Sequence, residues 1–135
     1  MILVAVVAGL VAIALVALRR RLMVVTVVGD SMVPAYRPGD RLLVARGAAS
    51  VSAGDVVVFT GGRRGRAGQV VKRVAAVPGD LVPVSVLGAV GARTGQVVPP
   101  GRLVVLGDGV TSVDSREWGY LPAARLTGRV LRKLG

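Results

Sequence analysis

The first eighteen residues form an uninterrupted apolar run. Positions 1–18 carry no polar side chain, and Arg19, Arg20 and Arg21 follow directly. As a helix, this run would span about 27 Å, close to the ~30 Å hydrocarbon core of a bilayer. A cleavable signal peptide carries its positive charge before the apolar run, whereas here the charge follows it. We therefore expect a single transmembrane anchor over 1–18 and a basic juxtamembrane segment over 19–23.

After the anchor, short valine-rich runs alternate with turn residues. Such runs, bounded by Gly, Pro and Asp, favour strands over helices. The pattern predicts strands over 22–28, 41–44, 55–60, 69–77, 81–87 and 103–106. A hairpin tip is expected over 61–68, which is rich in glycine and arginine, and a short helix over 123–134. Residues 24–135 are expected to form one mainly β domain outside the bilayer.

Composition excludes several classes of site. The chain has no cysteine and no histidine, so a disulfide framework, a Cys/His zinc site, a thiol nucleophile and a Ser-His-Asp triad are all excluded. Five of the seven acidic residues directly follow glycine. Gly-Asp pairs are typical of tight turns, which makes a catalytic carboxylate pair a poor interpretation. No metal or other cofactor is expected.

The net charge of +11 indicates an anionic partner. Nucleic acid is the weaker interpretation, because four aromatic residues provide no evident platform for base stacking. Anionic membrane lipid is the stronger one, since three arginines adjoin the expected anchor. Sixteen of the 18 basic residues are arginine, and the two lysines are Lys72 and Lys133. Lysine is the one of these two residue types that can lose its proton in a protein.

A serine nucleophile with a lysine base is the hydrolytic chemistry that remains best supported. Ser31 follows a valine-rich strand, and Lys72 lies within another predicted strand with apolar neighbours. A lysine base needs a pKa near 7–8 rather than about 10.4, which costs about 4 kcal/mol and requires desolvation. Taken alone, these features are more typical of a turn serine and of a strand lysine that faces solvent.

Four segments together resemble the bacterial type I signal peptidases, in a minimal form like that of Gram-positive members. Residues 31–34 followed by Gly39-Asp40 are similar to the family's nucleophile segment, and 72–80 to its lysine segment. Residues 54–59 resemble the strand between them, and 107–122 the closing segment. The four occur in family order. The resemblance implies a coiled β-sheet catalytic core, of the type shared with repressor proteases, behind one transmembrane helix.

The resemblance also implies an activity and roles for three residues. The family removes signal peptides from exported preproteins by cleaving after a small-x-small motif such as Ala-x-Ala. Ser31 then corresponds to the nucleophile, its backbone N–H to an oxyanion donor, and Lys72 to the general base. Ser112 corresponds to the residue that orients the lysine. Gly29 stands where some members have a serine hydroxyl as a further oxyanion donor.

The closing segment departs from the family pattern. Gly109 replaces the usual asparagine, and the loop before Ser112 is one residue shorter. Thr111 and Ser115 therefore stay open as alternatives to Ser112. A supporting ion-pair group is implied for three residues: Asp114, Arg116 and Arg73.

Substrate is expected to bind as an extended strand added to a sheet edge. Five residues near Ser31 and Lys72 are candidate walls of small apolar pockets, with plain core packing as the alternative: Val25, Val27, Gly29, Met32 and Val71. The implied partners are preprotein signal peptides, anionic lipid headgroups and, as an open possibility, the translocation machinery.

Three other functions stay open: a self-cleaving protein of the phage-repressor type, a peptidase dedicated to few substrates, and an inactive membrane-anchored interaction module. The first would need a DNA-binding segment where this chain has its apolar run. The location expected is the cytoplasmic membrane, with the catalytic domain on the extracytoplasmic side. Arg19–Arg21 alone would place that side in the cytoplasm, but translocated cleavage sites are reached only from outside.

Overall fold

The N-terminal apolar run forms one long helix. The computed structural model describes residues 1–47, 50–61 and 68–135; most of the expected hairpin tip over 61–68 lies outside them. Helix α1 covers Ile2–Arg21 and is exposed along its whole length. Among the described residues, it is the one helix long and apolar enough to cross a membrane. The three arginines form its last turn, and the first strand begins at the next residue.

The described remainder is mainly β, as the sequence predicts, and its seven strands form one antiparallel sheet. In sheet order they run β1-β2-β7-β3-β4-β5-β6. Their bounds are β1 Leu22–Thr26, β2 Arg41–Arg46, β3 Val56–Gly61, β4 Gly68–Ala76, β5 Arg102–Leu106, β6 Leu121–Pro122 and β7 Leu126–Lys133. Two one-turn helices, α2 Leu87–Val90 and α3 Ser115–Trp118, lie in the connections on either side of β5.

Two predicted elements are wrong. Residues 81–87 are not a strand: Leu81 makes only an isolated bridge to Val97, and Pro83 begins a 3-10 turn over Val84–Val86. Proline has no N–H to donate to a strand ladder. Residues 123–134 are not a helix but a 3-10 turn, Ala123–Arg125, followed by strand β7. Pairing with β2 and β3 on both sides outweighs the helix propensity of its leucines and arginines.

Three of the Gly-Asp pairs end turns that share one hydrogen-bond pattern. In 37–40, 52–55 and 77–80 the aspartate N–H donates to the carbonyl three residues earlier, at 3.0–3.1 Å. The aspartate side chain in turn accepts from the N–H of that same residue. The glycine before it has φ between 89 and 95°, which a residue with a Cβ adopts only under strain. The predicted structural role of these three aspartates is confirmed.

The two faces of the sheet bury separate apolar clusters. The first cluster comprises Val25, Val27, Met32, Leu42, Val44, Val56, Val58 and Val71. The second comprises Val57, Phe59, Val74, Leu103, Val105 and Leu121. Successive side chains of a strand point to opposite faces, so Val71 on β4 belongs to the first cluster and Val74 to the second. Lys72, which lies opposite Val57 in the register, therefore shares the face of the second cluster.

Candidate active site

Ser31 lies on a turn that directly follows the pairing of β1 with β2. Val27 continues that pairing by donating to Asp40 O and accepting from Gly39 N, at 2.8 and 2.9 Å. Gly29 then adopts a φ of 81°, which turns the chain out of the strand direction. Met32, fully buried, fixes the turn in the first cluster. Ser31 is left half-buried at the surface of the sheet.

Within the described ranges, Lys72 is one of three buried polar or charged residues. It is 4% exposed, and its Nζ donates to Ser112 Oγ at 2.7 Å. Burial lowers its pKa, because desolvation penalises the ammonium form. The charge of Asp114 opposes this shift and that of Arg116 adds to it. The structure thus provides a lysine whose proton is held less tightly than in water.

The closing segment brings Ser112 and Ser31 together around Gly107. A Cβ added to Gly107 would overlap the Ser112 side chain and the Ser31 carbonyl. Gly109 N donates to that carbonyl at 2.8 Å, and a Cβ on Gly109 would meet Asp30 O at 2.5 Å. A larger residue such as asparagine does not fit this backbone, which gives the departure at 109 a physical reason.

The three candidate hydroxyls of the closing segment have different surroundings. Ser112 bonds to Lys72, whereas Thr111 is exposed. Ser115 is fully buried, and its Oγ accepts from Val105 N at 2.9 Å. Ser31 and Lys72 are not directly hydrogen-bonded in the part of the chain that the structure describes. Catalytic hydrogen bonds are often longer before substrate binds.

Asp114 holds the closing segment together through hydrogen bonds to its buried carboxylate. It is fully buried and accepts from Gly107 N at 2.8 Å and from Arg116 Nε and Nη2 at 2.9 and 2.7 Å. Burial raises the pKa of Asp114, but hydrogen bonds from Arg116, Gly107 N and the Ser112 hydroxyl outweigh it and lower the pKa to about 2. Asp114 is therefore a carboxylate at neutral pH, and it accepts a hydrogen bond from the Ser112 hydroxyl.

Arg73 does not join the Asp114–Arg116 pair, contrary to expectation. Its Nε and Nη2 bind both oxygens of Asp108, at 3.0 and 2.8 Å, and its Nη1 binds Gly54 O at 3.0 Å. The sequence offers two aspartates in one loop, and β4–β5 pairing decides between them by placing Arg73 opposite Leu106, just before Asp108. The resulting bidentate bond holds the closing segment to β4 beside Lys72.

A small pocket adjoins Ser31. Its volume is about 100 Å³, roughly that of three water molecules. Three of the expected substrate residues, Val27, Met32 and Val71, line it. Val25 is buried in the first cluster and Gly29 is exposed; neither lines it. Four lining residues were missed by the sequence analysis, which had no signal for them beyond their position next to the strands: Thr26, Val28, Gln69 and Val70.

One edge of β4 is open beside this pocket. β3 pairs with β4 residues 68–73, whereas β5 pairs on the other side only at Arg73, Val74 and Ala76. Among the described residues, 68–72 thus has no strand on that second side. The Ser31 N–H likewise has no acceptor within the described chain. An extended peptide has a backbone to pair with here, and an oxyanion has a donor.

A protein-family model described as "Signal peptidase, peptidase S26" matches residues 1–90 and 85–133. The chain belongs to the signal peptidase family. Curated proteins give no match. The family assignment confirms the resemblance seen in the sequence, and the antiparallel sheet behind an N-terminal apolar helix fits it. The signal peptidase therefore acts in the cleavage of signal peptides, and its candidate catalytic groups lie where β1, β4 and the closing segment meet.

Proposed function

We propose that this signal peptidase is a membrane-anchored endopeptidase with Ser31 as nucleophile and Lys72 as general base, cleaving preproteins after a small-x-small motif. The observation that carries the proposal is the buried Lys72 amine, bonded to Ser112 Oγ at 2.7 Å next to the turn that holds Ser31. A solvent-facing lysine would keep its proton at neutral pH and could not serve as a base.

In the first half-reaction, neutral Lys72 accepts the Ser31 hydroxyl proton while Oγ bonds to the scissile carbonyl carbon. The Ser31 N–H stabilises the oxyanion that forms. The C–N bond then breaks, Lys72 returns the proton to the leaving amine, and an acyl ester remains on Ser31. In the second half, Lys72 deprotonates a water molecule that attacks the ester carbonyl carbon. The bond to Ser31 Oγ then breaks and Lys72 returns the proton to Oγ. The signal peptide leaves as a carboxylic acid that ionises in water.

Ser112 and Asp114 set the direction of the lysine lone pair. The Ser112 hydroxyl donates a hydrogen bond to Asp114 and accepts one from Lys72 Nζ. An N–H of Lys72 therefore points at Ser112, which leaves its lone pair for Ser31. Arg116 neutralises Asp114, so this carboxylate favours the ammonium form of Lys72 less than an unpaired one would. Ser112 and Asp114 are therefore positioning residues.

Substrate specificity follows from the size of the pocket beside Ser31. An extended peptide on the open edge of β4 sends alternate side chains toward Val27, Met32 and Val71. A volume of about 100 Å³, shared by the side chains one and three positions before the cut, favours small residues over bulky ones. This supports small residues one and three positions before the cut.

The membrane assignment rests on α1. We place α1 in the cytoplasmic membrane, its N-terminus inside and residues 22–135 outside, where translocated preproteins emerge. Arg19, Arg20 and Arg21 then lie at the outer headgroups, where anionic lipid offsets their charge.

The test uses the full chain in detergent with a purified preprotein that carries an Ala-x-Ala site. We expect cleavage after the second alanine, no cleavage by Ser31→Ala or Lys72→Arg, and wild-type rates from Ser85→Ala, whose exposed serine lies in the turn after Pro83. Arginine keeps its proton and cannot replace the base. Turnover by either of the first two variants would refute the assignment.

A further inference from the structure

A second pocket opens on the opposite face of β4. Its volume is about 520 Å³, and Phe59, Gly61, Val70, Val113, Trp118 and Leu121 line it together with Glu117 and Arg125. We call it the aromatic pocket, because the rings of Phe59 and Trp118 meet edge to face with centroids 6.2 Å apart. Trp118 is still 42% exposed and Val113 37%, so both have apolar surface left to cover.

The aromatic pocket adjoins the small pocket and the closing segment. Val70 lines both this pocket and the small pocket beside Ser31. Val113 directly follows Ser112, which bonds to Lys72. A peptide bound at Ser31 therefore lies between two pockets of very different size, one on each face of the open edge of β4.

The pleat of β4 decides which substrate side chain faces which pocket. Val71 points into the first cluster, and Val70 opposes Phe59 on the other face. A peptide strand that pairs with the open edge continues the same alternation. If the residues one and three positions before the cut (P1 and P3) enter the small pocket, the residue between them (P2) points to the face of Val70.

We propose that the aromatic pocket is a subsite for a bulky apolar P2 side chain, so that Leu or Phe is preferred over Gly or Ala at the middle of the small-x-small motif. This inference rests on the proposed function. Burial of an apolar side chain against Phe59, Val113 and Trp118 favours binding in proportion to the area covered. Glycine at P2 forgoes that burial.

The experiment compares peptides that differ only at P2, carrying Gly, Ala, Leu or Phe, with the full chain in detergent. We expect kcat/KM for the Phe peptide to exceed that for the Gly peptide about tenfold. Trp118→Ala and Val113→Ser should each reduce this ratio to about two or less. Val84→Ser is the matched control, since Val84 is 78% exposed and lies outside the aromatic pocket; it should keep the wild-type ratio.

Four outcomes would overturn the proposal, and they are distinguishable. Equal cleavage of all four peptides by the wild type removes the subsite and leaves the proposed function standing. The subsite is likewise removed, with the proposed function standing, if neither Trp118→Ala nor Val113→Ser changes the ratio of kcat/KM between the Phe and Gly peptides. In a second series, with the bulky residue moved to the first position after the cut, sensitivity to Trp118→Ala there but not at P2 assigns the pocket to the mature chain. Failure to cleave any peptide refutes the proposed function itself.

Discussion

Lys72 lies among apolar side chains, with Val57 opposite it and Val74 two residues on. Its pKa is lowered by burial, so between the lowered value and 10.5 the unfolded chain binds a proton that the folded chain does not. The free energy of unfolding must then rise with pH across that range. The residue that makes the proposed chemistry possible thus destabilises the fold at neutral pH.

Replacing Lys72 with methionine should therefore stabilise the protein while abolishing cleavage. Because the ammonium form of Lys72 is destabilised by burial in the folded state, we expect Lys72→Met to raise the free energy of unfolding at pH 7. The gain should shrink toward pH 10.5. Thermal unfolding in detergent measures it, with Lys133→Met, a half-exposed lysine, as control. A variant less stable than wild type at pH 7 would contradict this.

Ser112 and Ser115 differ by three positions, and their substitutions should have opposite profiles. Ser112→Ala removes the acceptor of the Lys72 hydrogen bond and should lower kcat about tenfold or more with little change in stability. Ser115→Ala leaves the buried Val105 N–H without its partner and should cost about 1–3 kcal/mol of stability. Paired kinetic and unfolding measurements separate the two, and a reversed pattern would exchange their roles.

Asp114 should make the fold sensitive to acid. Its pKa is lowered from 3.8 to about 2, so its carboxylate contributes stability that is fully present above about pH 4 and is lost as the pH falls through 2. The difference corresponds to roughly 2 kcal/mol. We expect Asp114→Asn to destabilise the protein by about that amount at pH 7, and the gap between variant and wild type to close below pH 3. A gap that widens in acid would contradict the assignment.

The site residues differ in how far the sequence could specify them. Motif order alone indicated Ser31, Lys72 and Ser112, because the chemistry depends on residue type. The sequence could not specify the partner of Arg73, because Asp108 and Asp114 lie only six positions apart and strand register decides between them. It could not predict the aromatic pocket either, because Phe59 and Trp118 meet through tertiary packing.

At the scale of elements, β7 shows where local pattern fails. Its sequence, LTGRVLRK, contains residues that favour helices. It nevertheless forms a strand that lies between β2 and β3 and joins them in one sheet. Gly128 makes this possible, since a Cβ there would overlap Ala45 O. Bounded valine runs such as β3 and β5 were predicted well, because their residues favour strands locally and also pack as strands.

Gly128→Ala should therefore disturb the pairing of β2 with β7. We expect a loss of about 1–3 kcal/mol, typical of overpacking at a closed site, measured by denaturant unfolding of the full chain in detergent. Gly88→Ala is the matched control: Gly88 lies in α2, a Cβ added there has nothing within 4 Å, and alanine favours helix. If both variants were equally stable, β2 and β7 would accommodate a Cβ at position 128 without cost, which would contradict the prediction.

For the molecule as a whole, the orientation in the membrane is the main open prediction. Protease added to intact protoplasts should digest residues 22–135, because we place that domain outside. The matched measurement is the same digestion after lysis, where a cytoplasmic control protein also becomes accessible. Full protection before lysis would reverse the orientation and remove the proposed access to translocated preproteins.

Because β1 begins directly after α1, the distance between Ser31 and the membrane surface is limited. Leu22 already has the extended backbone of a strand, so the chain from Arg21 to Ser31 spans at most about 33–36 Å, of which β1 takes roughly 17 Å. With α1 in the bilayer, Ser31 stays within that distance of the membrane surface. Each extended residue added between a signal peptide's apolar segment and its small-x-small motif moves the scissile bond outward by roughly 3.3 Å. The peptidase would then select its bond by elevation above the lipid as well as by side chain.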